Sequence, residues 1–306
     1  IYLPKFICPD GQNSKEFLTK LCNERFCEPK VPSDKQDVYR KRMEYELEVI
    51  NNAGLADYFL IVWDICNFCD TEGIYRGPGR GSVAGSIVAY ILGITSVDSI
   101  KYDLPFERFF NSGRWTETRK KLPDIDTDFE KTRRKDVISY ISKKYGSDKV
   151  AHISNLNTMK LKAAIRDVFR VLNIEGDRQK SLVVADRIAK LVPDKIEDEE
   201  EVNVDTLCKY DEKFKEYVEK YKAPFVSIKK LQGTIRNRAT HAAGILLCDR
   251  PLSELVPMCW DTKNKEQMVG LDMKSAEKIG LIKLDILGIT LLGMFKECEG
   301  LIKKHE

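Results

Sequence analysis

A chain of 306 residues is long enough for two domains, or for one domain that carries a large insertion. Apolar residues make up 42% and charged residues 32%, as in an ordinary soluble globular protein. The net charge of +3 is too small to indicate nucleic-acid binding by itself. No apolar run approaches the roughly 20 residues that a membrane span needs, so we expect no membrane partner. The first residues show no signal-peptide pattern, and their lack of an initiator Met predicts an excised fragment.

The nine cysteines are odd in number and irregular in spacing, which favours reduced thiols in a cytoplasm. Cys66 and Cys69 form a C-x-x-C on a helical pattern. Without a second such pair or a nearby His pair, packing is favoured over zinc binding. Basic residues cluster in one 22-residue window, which is most simply a solvated face: Arg114, Arg119, Lys120, Lys121, Lys131, Arg133, Arg134 and Lys135.

In chain order, the prolines and glycine of residues 1–33 predict an irregular segment. A helix is predicted over 34–53, with Met43, Leu47 and Ile50 on one face. Three acidic residues of that helix are predicted to lie mostly outside: Glu44, Glu46 and Glu48. A more apolar helix is predicted over 57–70. The glycine-rich turn, residues 77–82, then leads into a small-residue helix over 83–92.

The second half of the chain mixes strand and helix patterns. A strand is predicted over 122–129, followed by an amphipathic helix to about residue 144. Residues 157–234 have little strand signal and predict a separate helical insertion, with helices over 159–172, 182–191 and 213–222. Strand patterns return at 243–247 and 281–287. The predicted fold class is therefore α+β, interrupted by an all-helical domain.

The sequence Leu122-Pro-Asp-Ile-Asp-Thr-Asp-Phe129 predicts a strand with one acidic face. Ile125, Thr127 and Phe129 would face a core, while Asp124, Asp126 and Asp128 would line the other side, neighbours being about 7 Å apart. Carboxylates at this spacing repel one another, and two divalent cations bridging them would remove that cost. The alternative is an exposed acidic edge strand.

Asp285 supplies a third carboxylate in the sequence Lys283-Leu-Asp-Ile286. Lys283 and Asp285 share a strand face, and an Asp among so many apolar residues is costly to bury without a partner. A nearby metal ion would explain the position of Asp285, if its strand lies beside the strand that carries Asp124 and Asp126. Three carboxylates from two strands are typical of two-metal phosphoryl transfer.

The glycine-rich turn has features of a phosphate site. Its three glycines allow close backbone approach, Ser82 lies where a helix is predicted to begin, and Arg80 adds a forked cation. The alternative is a tight turn that packing alone requires. No Walker A sequence is present.

Taken together, these segments resemble the family C DNA polymerases of bacteria and phages, over about residues 35–295. The matching pieces occur in one order: Tyr58-Phe-Leu-Ile-Val-Trp63, Gly77-Pro-Gly-Arg-Gly-Ser82, Phe106-Glu-Arg-Phe109, Pro123-Asp-Ile-Asp-Thr-Asp-Phe129, Ala163-Ala-Ile-Arg-Asp-Val168, Arg236-Asn237, His241-Ala-Ala-Gly244 and Lys283-Leu-Asp-Ile-Leu-Gly288.

The resemblance implies roles for individual residues. Asp124, Asp126 and Asp285 match the catalytic aspartates that bind two Mg²⁺ ions, whereas Asp128 matches an aspartate outside that set and is interpreted as a helix cap or as support for the ligands. Six residues match nucleotide-site positions: Arg80, Gly81, Ser82, Arg108, Lys283 and His241. For His241 a core histidine remains the alternative. Four cationic residues suit DNA phosphate contacts: Lys160, Lys162, Arg166 and Arg170.

The resemblance also implies an architecture. A nucleotidyltransferase palm of the polymerase β type would comprise residues 1–155 and 234–295, with a helical thumb inserted at 156–233. Residues 296–306 would begin the fingers, and the family's N-terminal PHP, β-clamp-binding and OB-fold regions have no counterpart here.

The expected activity is DNA-directed addition of a dNTP to a primer 3′-hydroxyl during replication, in the bacterial cytoplasm near the nucleoid. Expected partners are primer–template DNA, a sliding clamp and other replisome subunits. Two alternatives remain: an untemplated nucleotidyltransferase, and a module that only binds duplex DNA.

Overall fold

The computed structural model describes residues 2–26, 31–111, 113, 122–197 and 201–305. The chain divides into two compact units. Residues 1–154 and 240–306 form the first unit, and residues 155–239 form the second. Each unit has its own cluster of buried apolar side chains.

The first unit begins with three helices, α1 (Ser14–Phe26), α2 (Gln36–Asn52) and α3 (Ala56–Thr71). The prediction that residues 1–33 are irregular is wrong, because the prolines flank α1 and do not interrupt it. Leu18 and Phe26 of α1 are buried in the main core.

Helix α2 carries the predicted apolar face, since Met43, Leu47 and Ile50 are all buried. Glu46 was predicted to lie mostly outside, and this is wrong because its side chain is fully buried. Its carboxylate accepts hydrogen bonds from the side chain of Arg42 and from backbone N–H groups of a later helix, which compensate its burial.

No single helix in the described ranges is both long and apolar enough to cross a membrane. The segments Ser33–Asn52 and Ala56–Thr71 meet that test only as a pair, and a bend of 115° separates them.

Both Cys66 and Cys69 of α3 are buried in the main core, where burial raises the pKa of Cys66 to about 11.

The helix predicted over 83–92 forms in two pieces. Residues Gly81–Gly85 make a 3-10 helix, here called the turn helix, and α4 spans Ile87–Leu92. Ser86 separates them with extended backbone angles, and its side chain caps α4 by accepting from the N–H of Ala89. Further along, Phe106–Arg108 forms another 3-10 helix, here called the Arg108 helix.

A mixed six-stranded sheet supports the first unit, with its strands in the order β1-β6-β3-β2-β5-β4. β1 runs parallel to β6, β6 antiparallel to β3, β2 parallel to β5, and β4 antiparallel to β5. The strands are β1 (Asp126–Glu130), β2 (Val150–Thr158), β3 (Ile235–Leu247), β4 (Met258–Asp261), β5 (Glu266–Val269) and β6 (Ile282–Ile289).

Three further helices accompany the sheet: α5 (Arg134–Tyr145), α11 (Met273–Lys278) and α12 (Thr290–His305). A mixed sheet with helices agrees with the predicted α+β class. The sequence did not predict β2, β4 or β5, because β2 mixes polar and apolar residues and the other two are four residues long.

The second unit is mainly helical between the sheet strands that enter and leave it. Its helices are α6 (Leu161–Leu172), α7 (Arg178–Leu191), α8 (Val204–Tyr210), α9 (Glu212–Lys220) and α10 (Lys222–Leu231). Phe169, Phe214 and Phe225 pack edge to face in its core. The helix predicted over 213–222 ends early, at Lys220, because the backbone of Tyr221 leaves the helical region with φ −112° and ψ 48°.

Candidate active site

Two carboxylates meet where β1 and β6 pair. Asp126 lies opposite Asp285 in the parallel register, and the hydroxyl of Thr127 donates to the carbonyl of Asp285 at 2.8 Å. The pKa of Asp126 is raised, first by burial and then by the charge of Asp285. The prediction that the second acidic strand lies beside the first is confirmed.

The predicted apolar face of this segment is also confirmed, because Ile125, Thr127 and Phe129 are all buried. The acidic side differs from the prediction. Asp124 is exposed and precedes β1, whereas Asp128 is only 4% exposed. The aspartates therefore pass from solvent into the protein and do not form an evenly exposed row.

Asp128 is buried because it binds Arg80. Its Oδ2 atom lies 2.6 Å from Nε of Arg80, and its carbonyl accepts from the N–H of Gly77 at 2.9 Å. Arg80 also forms an isolated antiparallel bridge with Asp126. The glycine-rich turn is thus fastened along β1. Asp128 does not cap α5, the next helix, because that position belongs to Arg133.

The glycines of this turn are explained by close contacts. Gly79 has φ +89°, and a Cβ atom there would lie 2.8 Å from Oγ1 of Thr95. Gly81 has φ +72°, and its Cβ would lie 3.1 Å from Oδ2 of Asp126. Packing therefore requires Gly79, while Gly81 brings the backbone against a candidate metal ligand.

We expect Gly79→Ala to destabilise the chain more than Gly54→Ala does. Both positions have positive φ, which costs an Ala side chain about 1–2 kcal/mol. Only Gly79 has neighbours at the Cβ position, which should add about 1–3 kcal/mol. Urea unfolding of the two variants would measure the difference, and equal losses of stability would contradict the contact with Thr95.

The helix predicted to begin at Ser82 does start in this turn, although not as an α-helix. Gly81 begins a 3-10 helix, and the N–H groups at the start of α4 donate to Glu46. A buried carboxylate therefore occupies the N-terminus of α4, which begins at Ile87 and not at Ser82. The side chain of Arg80 is 47% exposed and stays accessible to a ligand in this turn.

Lys283 places a cation directly against the candidate ligands. Its Nζ atom lies 2.7 Å from Oδ2 of Asp285, and both side chains are nearly buried. Burial opposes the charge on Lys283, but the hydrogen bond and charge of Asp285 outweigh it and raise the pKa of Lys283. The prediction that Lys283 and Asp285 share a strand face is confirmed.

His241 is hydrogen-bonded next to the paired strands, whereas Arg108 has no such contact with the carboxylates in the part of the chain that the structure describes. His241 Nδ1 accepts from the N–H of Gly244 at 2.9 Å, and Gly244 lies opposite Asp285 in the pairing of β3 with β6. Arg108 is exposed at the end of the Arg108 helix. Within the described ranges, no hydrogen bond or ion pair joins Arg108 to the carboxylates.

The pair Asp126 and Asp285 offers only oxygen donors, which suit a hard cation such as Mg²⁺. Burial and the charge of Asp285 raise the pKa of Asp126, and a bound cation would relieve the repulsion between the two carboxylates. In the part of the chain that the structure describes, however, no three His, Cys, Asp or Glu side chains come together as a metal site. The structure therefore brings together two of the three predicted ligands.

Sequence reasoning missed one supporting residue and one supporting contact. Tyr58 is fully buried beneath the site, where the backbone of Ile125 hydrogen-bonds to it and burial raises its pKa. A tyrosine within the apolar α3 is the signal that could have indicated this contact. The ion pair between Asp128 and Arg80 joins residues 48 positions apart, and no local pattern indicates it.

Paired carboxylates on neighbouring strands, with two cationic side chains beside them, define a candidate centre for phosphoryl-transfer chemistry. Comparison with known proteins gives the family. A family profile described as "Bacterial DNA polymerase III alpha NTPase domain" matches residues 16–288. The chain therefore belongs to this bacterial DNA polymerase III alpha family, and the resemblance to family C DNA polymerases is confirmed.

Individual relatives carry the same name as the family profile. DNA polymerase III subunit alpha of Bacillus subtilis (strain 168) is 38% identical over 308 residues, which cover 99% of this chain and 26% of that protein. The subunits of Aquifex aeolicus (strain VF5) and Staphylococcus aureus (strain NCTC 8325 / PS 47) are each 38% identical over 99% of this chain and 27% of their own length. The chain thus spans about a quarter of the length of these curated relatives.

Proposed function

We propose that this chain carries the nucleotidyl-transfer centre of a DNA-directed DNA polymerase. The observation that carries the proposal is the in-register pairing of Asp126 with Asp285, with Lys283 against one carboxylate. The reaction is attack of a primer 3′-hydroxyl on the α-phosphorus of a dNTP, with pyrophosphate as the leaving group. Family membership supports it, because the relatives are DNA polymerase III alpha subunits.

Asp126 and Asp285 would hold a divalent cation, with Asp124 as a further ligand from the exposed segment before β1. Bound there, Mg²⁺ would lower the pKa of the attacking hydroxyl and stabilise charge on the phosphoryl oxygens. Arg80 binds the triphosphate through its terminal nitrogens, since its Nε is already held by Asp128. Lys283 holds positive charge beside Asp285, where the phosphates arrive.

Metal binding can be tested without turnover. Mn²⁺ should raise the Tm of the 306-residue chain, and a concentration of 100 times Kd would add about 2.7 kcal/mol of stability. The double variant Asp126→Asn/Asp285→Asn should lose this rise. Asp136→Asn, at an exposed residue of α5, is the matched control and should keep it. Equal rises in the wild type and the double variant would refute the assignment of the metal ligands.

The proposed architecture follows the same family. The first unit would act as a nucleotidyltransferase palm of the polymerase β type, and the second as the thumb that grips primer–template duplex. The four predicted phosphate contacts each lie near an acidic side chain: Lys160 with Glu201, Lys162 with Asp194, Arg166 with Asp186 and Arg170 with Asp167. Such exposed pairs contribute only about 0.2–1 kcal/mol each, so DNA phosphates can replace the acidic partners.

We therefore expect Asp194→Asn to tighten duplex DNA binding by up to about fivefold, because Lys162 no longer has a competing partner. Lys162→Ala should weaken binding and reduce the slope of log affinity against log salt by about one. Fluorescence anisotropy over a salt series would measure both effects. Glu212→Gln, which removes the acidic partner of Lys215 in another exposed ion pair of the same unit, is the control. Unchanged binding in both Asp194→Asn and Lys162→Ala would remove Lys162 from the interface.

In the complete gene product, the proposed partners are primer–template DNA, dNTPs, a sliding clamp and other replisome subunits. Strict dependence of incorporation on the template base would distinguish this function from untemplated nucleotidyl transfer. DNA binding without any incorporation would instead favour a binding module.

A further inference from the structure

Helix α2 places a buried carboxylate at the start of α4. Oε1 of Glu46 accepts from the N–H of Ile87 at 3.1 Å, and Oε2 accepts from Ser86 Oγ at 2.7 Å and from the N–H of Val88 at 3.1 Å. Nε of Arg42 donates to Oε1 at 2.8 Å. Burial raises the pKa of Glu46, but all four of these hydrogen-bond partners are donors and favour its charged form.

Arg42 extends this network to two other segments. Its Nη2 atom donates to the carbonyl of Gly85 at 3.2 Å and to the carbonyl of Leu104 at 3.1 Å. Gly85 is the last residue of the turn helix, and Leu104 lies just before the Arg108 helix. One guanidinium therefore joins the segments that carry Arg80 and Arg108.

The two segments also approach each other closely beside this network. A Cβ atom on Gly85 would lie 2.7 Å from the carbonyl oxygen of Pro105, so only glycine fits there. On the same helix as Glu46, Tyr45 donates a hydrogen bond to Glu107 at 3.0 Å and packs against the ring of Phe106. Helix α2 thus contacts both segments.

We infer that Arg42 and Glu46 are positioning residues for the nucleotide site, because they hold the turn helix and the Arg108 helix at a fixed separation. The inference rests on the proposed function. A buried ion pair contributes little net stability, since desolvation offsets most of its attraction. A fully hydrogen-bonded network does restrict geometry, and a nucleotide site needs its cations held within a fraction of an ångström.

Glu46→Gln in the complete gene product tests this inference, because it keeps the shape but turns one acceptor into a donor that faces other donors. In primer extension we expect KM for dATP to rise at least tenfold, with kcat and primer–template affinity within about threefold of wild type. Glu48→Gln, an exposed residue on the same helix, is the control and should leave all three unchanged. A purely structural role would lower the active fraction, and hence kcat, at an unchanged KM.

Arg42→Lys provides the second test if Glu46→Gln does not fold. Lys keeps the positive charge beside Glu46 but cannot reach two carbonyls in a fixed fork. We expect KM for dATP to rise several-fold. A wild-type KM in Arg42→Lys, or in a folded Glu46→Gln, would overturn the inference.

Arg80→Ala is measured alongside to separate the two proposals. If the wild type incorporates no dATP, the proposed function fails and the inference fails with it. If Arg80→Ala raises KM while the variants of α2 do not, only the positioning role is rejected.

Discussion

Replacing Asp285 by Asn in the complete gene product should lower kcat for templated nucleotide addition at least about hundredfold, which corresponds to about 2.7 kcal/mol of barrier. Asn keeps the size of the side chain but removes the charge opposite Asp126 that would hold the cation. Lys283 would also lose its ionic partner. Primer extension under single-turnover conditions measures the rate, and anisotropy measures duplex affinity, which should stay within a few-fold of wild type.

Asp136→Asn serves as the control here too, because Asp136 is an exposed carboxylate of α5 that pairs with Arg133. It should retain wild-type turnover. If Asp285→Asn kept more than about a tenth of the wild-type rate, only about 1.4 kcal/mol of barrier would depend on the carboxylate. Asp285 would then not be a catalytic metal ligand.

Arg80→Ala should raise KM for every dNTP by about ten- to hundredfold, as expected for loss of a charged hydrogen bond to phosphate, worth about 1.5–3 kcal/mol. Duplex affinity should change little, because the side chain is held beside the carboxylates by Asp128. The substitution also leaves Asp128 buried without its partner, so the Tm should fall. Steady-state kinetics at saturating primer–template would measure the effect on KM.

The double variant Arg80→Ala/Asp128→Asn separates these two effects. Removing the charge of Asp128 should restore much of the lost stability, because no unpaired buried carboxylate remains. The KM defect should persist, because the guanidinium is still missing. Recovery of KM in the double variant would show that Arg80 acts on nucleotides only through the fold.

The sequence predicted those parts of the site that depend on strand periodicity. Alternation placed Ile125 and Phe129 in the core and put Lys283 on the same face as Asp285, and the structure agrees. Periodicity describes which side of an element a residue faces. It therefore works wherever one side of the element meets the core and the other does not.

The exceptions are charged residues with distant partners. Glu46 lies three residues after Met43 and four before Ile50, so helical periodicity places it on the buried face of α2. It was predicted to lie outside because it is charged, and the partner that buries it is the N-terminus of α4, 41 positions away. Asp128 was predicted to share an open face with Asp126, and Arg80 covers it. Only the tertiary structure brings these partners together, and no local pattern encodes that contact.

The pairing of β1 with β6 sets the order in which the site can assemble during folding. Thr127 and Asp285 are hydrogen-bonded neighbours separated by 158 positions in the chain. Closing so long a loop costs entropy before any contact compensates for it, so non-local strand pairs form slowly. The helices of residues 155–239 rest on shorter-range contacts and can form first. A nascent or partly folded chain would therefore keep Asp126 and Asp285 apart, and the proposed cation site would form only once β1 and β6 have paired.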